Sequence, residues 1–198
     1  MKKIVVATRN EGKLREYRAL LGDLDLEILS LKDFPHLTLP GEEGESFLEN
    51  AVRKARFVAQ ATGLPAVGDD SGLEVDYLEG EPGVRSARFA GEPPDDLKNN
   101  LKLLQLLEGV PWDQRRARFR CILVLALPYG GFFITEGVLE GYIHMEMRGD
   151  QGFGYDPLFY VPRYGKTLAE LGEEIKNKIS HRAKALEKMR PFVEGLAQ

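Results

Sequence analysis

The sequence predicts an α/β fold around a mixed sheet, in one domain, and three patterns lead there. The apolar run Ile4 to Ala7 passes through a polar loop into an amphipathic segment, so the chain opens as strand, loop and helix. Strand and helix patterns go on alternating through the first half. In the second half two long strand patterns meet across Tyr129-Gly130-Gly131, a turn that lets strands pair directly. With 198 residues, the chain lies near the upper end of the ~100 to 200 usual for one domain and can bury a real core.

Met1 to Ala7 reads as a strand buried on both faces, and Gly12 to Leu21 as a helix with Leu14, Tyr17 and Leu21 on one side, stopped by Gly22. Ser46 and Glu49 form a capping box for a helix to Thr62. Its stripe is Phe47, Ala51, Ala55 and Val58, the alanines allow close packing, and Gly63 ends it. Ala66 to Asp70 and Leu73 to Leu78 read as two short strands, with Ser71 at a turn between them. In the second, Leu73, Val75 and Tyr77 alternate with Glu74 and Asp76, as a half-exposed strand should.

Gly80 to Pro94, rich in glycine and proline and without a period, is an ordered loop. Asp95 or Asp96 caps the next helix, whose expected core stripe is Leu97, Leu101, Leu104 and Leu107, ending at Gly109 before Pro111. Arg116 to Leu127 alternates arginines with Ala117, Phe119 and Cys121 and then becomes wholly apolar, as in a strand entering the sheet centre from an exposed end. Phe132 to Leu139 is its partner. Beyond the polar loop Gly149 to Pro157 come the apolar run Leu158 to Val161 and a short helix capped by Thr167 with Glu170. The last helix is capped by Ser180, shows Ala185, Leu186, Met189 and Phe192 on its apolar face, and should be kinked or shortened by Pro191.

Composition removes several functions. The net charge of −4 supplies no basic field for a nucleic-acid polymer. No uncharged apolar run approaches the ~18 to 20 residues of a membrane helix, so no membrane role is expected. The lone Cys121 cannot form an internal disulfide, and the first residues carry only a short apolar run before Thr8 and Arg9, so a reduced, cytoplasmic, soluble protein is expected. His36, His144 and Cys121 read as structural, and no zinc-ligand spacing occurs.

Two segments suggest nucleotide chemistry. In Gly68-Asp69-Asp70-Ser71-Gly72, adjacent carboxylates end an apolar run; in extended chain they point to opposite faces, so one can do chemistry or hold a metal while its neighbour orients or caps. In Thr8-Arg9-Asn10-Glu11-Gly12-Lys13 a helix amino terminus offers N–H groups to an anion, and a lysine in the first turn opposes the helix dipole unless a phosphate is near. Asn10 either caps that helix or donates to phosphate. Glu42-Glu43-Gly44-Glu45 lends one more metal ligand or is a solvated helix start. Phe153, between Gly152 and Gly154, is either a base platform or a core filler, while Lys176, His181 and Arg182 bracket the start of the last helix, where cations await an acceptor.

Thr8-x-Asn10-x-x-Lys13, Gly68-Asp69-Asp70-Ser71-Gly72-Leu73, Ser86-Ala87-Arg88-Phe89-Ala90-Gly91, Gly152-Phe153-Gly154-Tyr155-Asp156-Pro157 and Ser180-His181-Arg182, in this order, resemble the inosine triphosphate pyrophosphatase family, the XTP/dITP diphosphatases. The resemblance runs from residue 2 to about 190. It implies an elongated two-lobed α/β fold around a long mixed sheet, a nucleotide cleft between the lobes, and a homodimer. It also implies magnesium-dependent hydrolysis of ITP, dITP and XTP to monophosphate and pyrophosphate, clearing deaminated purines from the nucleotide pool. By the same resemblance, Thr8, Arg9, Asn10, Glu11, Gly12 and Lys13 hold the triphosphate. Asp70 binds metal and accepts a proton, Ser71 and Lys176 contact substrate, and Phe153, Gly154, Tyr155, Asp156, His181 and Arg182 form the base pocket. Where relatives carry Glu-Glu-x-Gly this chain reads Gly41-Glu42-Glu43-Gly44, and Glu42 is taken as the second metal ligand, with Glu43 and Glu45 as rivals. Arg9 replaces a commonly smaller residue and either meets phosphate or points to water.

Overall fold

The computed structural model describes residues 2–41 and 44–197. Seven strands form one mixed sheet in the order β2-β1-β3-β4-β5-β6-β7. The strands are β1 (Lys2–Val6), β2 (Leu26–Ser30), β3 (Ala66–Val75), β4 (Arg116–Ala126), β5 (Phe132–Ile143), β6 (Phe159–Val161) and β7 (Lys166–Thr167). The helices are α1 (Glu11–Leu21), α2 (Phe47–Thr62), α3 (Asp96–Leu106), α4 (Leu168–Ile179) and α5 (His181–Ala197). β1 runs parallel to β2 and β3, with Val5 opposite Ala66, whereas β5, β6 and β7 pair antiparallel. No described helix is long and apolar enough to cross a membrane.

The chain gathers into two compact units, residues 1–70, 121–137 and 181–198 in one and residues 71–120 and 138–180 in the other. In the first, Ile4, Val6, Val67, Leu123 and Leu125 pack with Tyr17 and Leu21 of α1 and Ala185, Leu186 and Met189 of α5. In the second, Leu73, Phe119, Leu139 and Phe159 pack with Leu103 and Leu107 at the end of α3. Each such side chain taken from water is worth roughly 1.5 to 3 kcal/mol.

The structure corrects the expected elements in instructive places. β3 is one continuous strand through the acidic pair, so neither the break nor the turn at Ser71 exists. Gly68 meets a packing demand instead: a Cβ there would strike the carbonyl oxygen of Ala51 and come within 2.8 Å of the Ala55 amide nitrogen. β2, absent from the sequence reading, is an edge strand whose Leu26-Glu27-Ile28-Leu29 lacks clear alternation. At α2, Ser46 accepts from the Glu49 N–H, but the Glu49 carboxylate takes the N–H of Glu45 and not of Ser46, so the box closes one residue early.

α3 is capped by Asp95 and keeps only the end of the expected leucine stripe, Leu104 and Leu107, against the core. Leu97 and Leu101 are half-exposed, and the buried face is Asn99, Asn100, Leu103 and Leu107. α4 carries the capping box of Thr167 and Glu170 and breaks at Gly172, whose φ of 79° belongs to the left-handed region. Pro191 does not shorten α5, which continues to Ala197; Phe192 lies outward against Phe133 at 4.2 Å between ring centroids, and Val193 takes the buried place.

Candidate active site

Asp69 and Asp70 are successive residues of β3, so their carboxylates leave opposite faces of the strand. Their partners respect that division. Asp69 Oδ1 accepts from Lys13 Nζ at 2.6 Å, and Oδ2 from the Tyr17 hydroxyl at 3.0 Å and from Arg182 Nε at 2.6 Å. Lys13 and Tyr17 stand four apart on α1, hence on one side of it. Arg182 also donates from NH1 to Glu16.

Burial alone would raise the Asp69 carboxyl, but Arg182 and Lys13 outweigh it and hold the group well below the usual carboxylate range. Burial likewise works against the Arg182 cation, and Asp69 and Glu16 more than restore it, so its pKa rises. The Tyr17 hydroxyl is pushed up by burial and by Asp69, which keeps it a neutral donor. Asp69 is therefore an ionised anchor saturated with donors.

Asp70 faces α2. Its Oδ2 accepts from Asn50 Nδ2 at 3.0 Å and its Oδ1 from Lys54 Nζ at 3.3 Å, while the same ammonium reaches the Asp69 carbonyl at 2.6 Å. Asn50 and Lys54 are both buried. Sequence reasoning passed over this pair, although two polar residues four apart beside Phe47, Ala51, Ala55 and Val58 were a visible signal. Gly68 points the same way as Asp70, and its missing side chain lets α2 lie close enough for these contacts.

The start of α1 adjoins this acidic strand through Lys13 and Tyr17. Thr8 Oγ1 accepts from the Asn10 N–H at 3.1 Å, and Asn10 Oδ1 caps the helix through the Lys13 N–H at 3.0 Å. Asn10 is thus a cap, Gly12 is buried, and Glu11 is exposed and paired with Lys32. Arg9 donates to the Leu37 carbonyl at 2.8 Å, holding the segment after β2 instead of pointing to water. Glu42 and Glu43 lie outside the described residues. Glu45 is exposed, with its N–H on Glu49.

α5 begins against β5 because Gly137 has no side chain: a Cβ there would meet the His181 carbonyl and the Ala185 amide at 2.6 Å. His181 is buried in that first turn. The approach delivers Arg182 to carboxylates, where its guanidinium pairs with Asp69 and Glu16.

A second set lies in the other unit. Lys176 Nζ donates to Asp156 Oδ2 at 2.6 Å and stands 4.2 Å from the centroid of the half-buried Phe153 ring. Asp156 Oδ2 also accepts the Phe153 N–H at 3.0 Å. The Tyr155 hydroxyl donates to the Ser86 carbonyl at 2.7 Å, and burial with nearby Asp96 raises its pKa. Ser86 Oγ accepts the Leu73 N–H at 2.9 Å, so the Ser86 to Gly91 motif braces β3 just past half-buried Ser71.

Among the described residues, no group of three or more His, Cys, Asp or Glu side chains is placed so that it could hold a metal ion. Magnesium does not need one, since it takes one or two carboxylates and fills its shell with substrate phosphates and water. The hard carboxylate oxygens of Asp70 suit such an ion, whereas those of Asp69 are already spent on three donors.

An open α/β sheet with a strand-borne carboxylate facing a buried lysine, next to a capped helix start, makes this an α/β protein whose donors and acceptors suit a phosphate ligand. The chain belongs to the Ham1 family, whose model matches residues 4–192. It is 55% identical to the dITP/XTP pyrophosphatase of Desulforamulus reducens, covering 98% of this chain and 96% of that one. It is 52% identical to the enzyme of the same name from Geobacillus kaustophilus, over 96% and 93%. Among solved structures it resembles a HAM1 protein from Coxiella burnetii, with a TM-score of 0.89, 42% identity, and coverage of 98% and 100%. The Staphylococcus aureus Ham1 protein gives 0.86 and 39%, over 98% and 99%.

Proposed function

We propose that the protein is a nucleoside-triphosphate pyrophosphohydrolase that converts the deaminated purine nucleotides ITP, dITP and XTP to the monophosphate and pyrophosphate, removing them from the nucleotide pool. The observation that carries this reading is the division of labour on β3: Asp69 is locked by Lys13, Tyr17 and Arg182, and Asp70 is presented to the other face by Asn50 and Lys54.

Asp70 is the general base. It takes a proton from a water that attacks the α-phosphorus, the bond from that phosphorus to the bridging oxygen breaks, and pyrophosphate leaves with the electron pair. Lys13, Thr8 and the first N–H groups of α1 hold the triphosphate, with Arg9, Glu11 and Ser71 around it. Asp70, with Glu42 as the proposed second carboxylate, would hold Mg²⁺, which when bound neutralises charge on the phosphate oxygens. Phe153 stacks on the base, with Gly154, Tyr155, Asp156, Lys176 and His181 shaping its surroundings. Hypoxanthine and xanthine offer a 6-oxo acceptor where adenine offers an amino donor, so a fixed cation such as Lys176 rewards the former and rejects the latter. Arg182 acts through Asp69. A cytoplasmic homodimer that binds a small nucleotide, with neither nucleic-acid polymer nor membrane as partner, completes the proposal.

The test is hydrolysis of dITP and XTP in ¹⁸O-water with magnesium. Label in the monophosphate and release of pyrophosphate support the reading, and Asp70→Asn should lower kcat by about 10² or more. Label in orthophosphate, binding without turnover, or near-normal turnover by Asp70→Asn would each overturn it.

A further inference from the structure

Asp96, exposed in the first turn of α3, and the buried Asn100 stand four apart on that helix, and both lead to Gly154, the residue that follows Phe153. Asp96 Oδ2 accepts the Gly154 N–H at 2.7 Å. One turn further along the helix, Asn100 Nδ2 donates to the Gly154 carbonyl at 2.8 Å and to the Asp96 carbonyl at 2.7 Å. The two acceptors fix the orientation of the Asn100 amide, which is 2% exposed. One residue is therefore gripped at both of its backbone polar groups, and that residue has a φ of 61°, in the left-handed region that favours glycine. Asn99 ties the same helix to the Ala87 carbonyl at 2.9 Å and to the Ala90 N–H at 2.7 Å.

The grip matters because of what hangs on it. Phe153 precedes Gly154 directly, and its ring packs against Lys176, which is held in turn by Asp156. A loop gripped on the donor side alone could swing about that bond, while bonds to both N–H and C=O fix the plane of the chain. Resting on the reading of Phe153 as the base platform, we infer that Asp96 and Asn100 are positioning residues for base selection: they touch no substrate and set the specificity of the enzyme by fixing where the Phe153 ring stands.

Four proteins test this: wild type, Asp96→Asn, Asp96→Ala and Asn100→Asp. Asp96→Asn keeps an acceptor for the Gly154 N–H, Asp96→Ala removes it, and Asn100→Asp sets an anionic oxygen against two carbonyls. The measurements are kcat and KM for dITP and dATP, and the inhibition constant of inorganic triphosphate, which has no base. For Asp96→Ala and Asn100→Asp the expected result is a rise of about tenfold in KM for dITP, kcat within about twofold, and a dITP over dATP preference reduced by about tenfold. Inhibition by triphosphate should be unchanged, and Asp96→Asn should restore the preference.

A merely structural role would lower the melting temperature and leave the preference and the KM to kcat split untouched, which overturns the inference. So would failure of Asp96→Asn to differ from Asp96→Ala. If Asn100→Asp does not fold, the two Asp96 variants decide alone. If the wild type itself does not prefer dITP to dATP, the base-platform reading has failed and takes this inference with it, a result distinguishable from an unaffected variant of a selective enzyme.

Discussion

Replacing Arg182 by methionine keeps much of the stem of a side chain that is 1% exposed and removes its guanidinium from between Asp69 and Glu16. Breaking a buried ion pair by deleting one partner costs about 3 to 5 kcal/mol. The lower end applies, because Asp69 keeps Lys13 at 2.6 Å and the Tyr17 hydroxyl at 3.0 Å. At about 2 to 4 °C per kcal/mol for a chain of this size, the melting temperature should fall by about 6 to 12 °C. The pH dependence carries the sharper test. In the wild type the Asp69 carboxyl is held well below its ordinary value, so its contribution is complete above the unfolded value and is lost only as pH falls through the folded one. Without Arg182 burial is opposed less, the folded value moves up, and the variant's Asp69 neutralises at a higher pH than the wild type's. The stability gap should therefore be largest near neutrality and close as the pH falls toward about 4 and below. Thermal unfolding followed by circular dichroism across that range measures it. A shift under about 2 °C, or a gap that stays constant with pH, would refute the assignment of Asp69 as a charge anchor.

Gly68→Ala places a methyl group against α2 within 2.8 Å of the Ala55 amide nitrogen, and overpacking of this kind costs about 1 to 3 kcal/mol. Because the same helix carries Asn50 and Lys54, kcat should fall with stability; normal turnover would separate the packing from the site. Lys54→Met, which removes the ammonium 3.3 Å from Asp70 Oδ1, should lower kcat by about 10² in steady-state assays of dITP. Leu103→Ala should cost about 2 to 5 kcal/mol by chemical denaturation and the half-exposed Leu101→Ala within about 0.5, since the buried side of α3 runs through Leu103. Equal costs would return the helix to the phase its leucines suggested.

Much of the fold was legible because local signals agreed with it. Gly63 stops α2 in the left-handed region with a φ of 68°, and Thr167 with Glu170 closes a capping box on α4, as their spacing promised. What misled was chemistry with two uses. Glycines flanking Asp69-Asp70 look like turn residues, yet Gly68 lies within β3 because a helix backbone presses on it, a tertiary fact with no local signature. Of the four leucines expected to line α3, Leu104 and Leu107 do pack on the core, but Leu97 and Leu101 lost to Asn99 and Asn100 because buried loop carbonyls and N–H groups must be paired, and leaving them unmet costs more than leaving two leucines half-exposed.

The candidate site shows the same limit. The residue types, Lys13 with an acidic pair and a glycine-flanked Phe153, could be read from the sequence; which carboxylate met which cation could not, since Arg182 reaches Asp69 across 113 positions of chain. Strand geometry supplies the missing step. Adjacent carboxylates in a helix would stand only about 100° apart around its axis, without the full separation that a strand imposes, and in a loop both would sit in water. In a strand they are sent to opposite faces, so one can be neutralised by Lys13 and Arg182 without weakening the other, and α2 can present Asn50 and Lys54 to Asp70 independently. That separation is why exchanging the two residues, Asp69→Asn against Asp70→Asn, should give different failures. The first should lose stability at neutral pH with substantial turnover left in the folded fraction, and the second should lose turnover with the fold intact. Matching losses in both variants would mean that the two carboxylates act as a single unit, contrary to the partners that each one has.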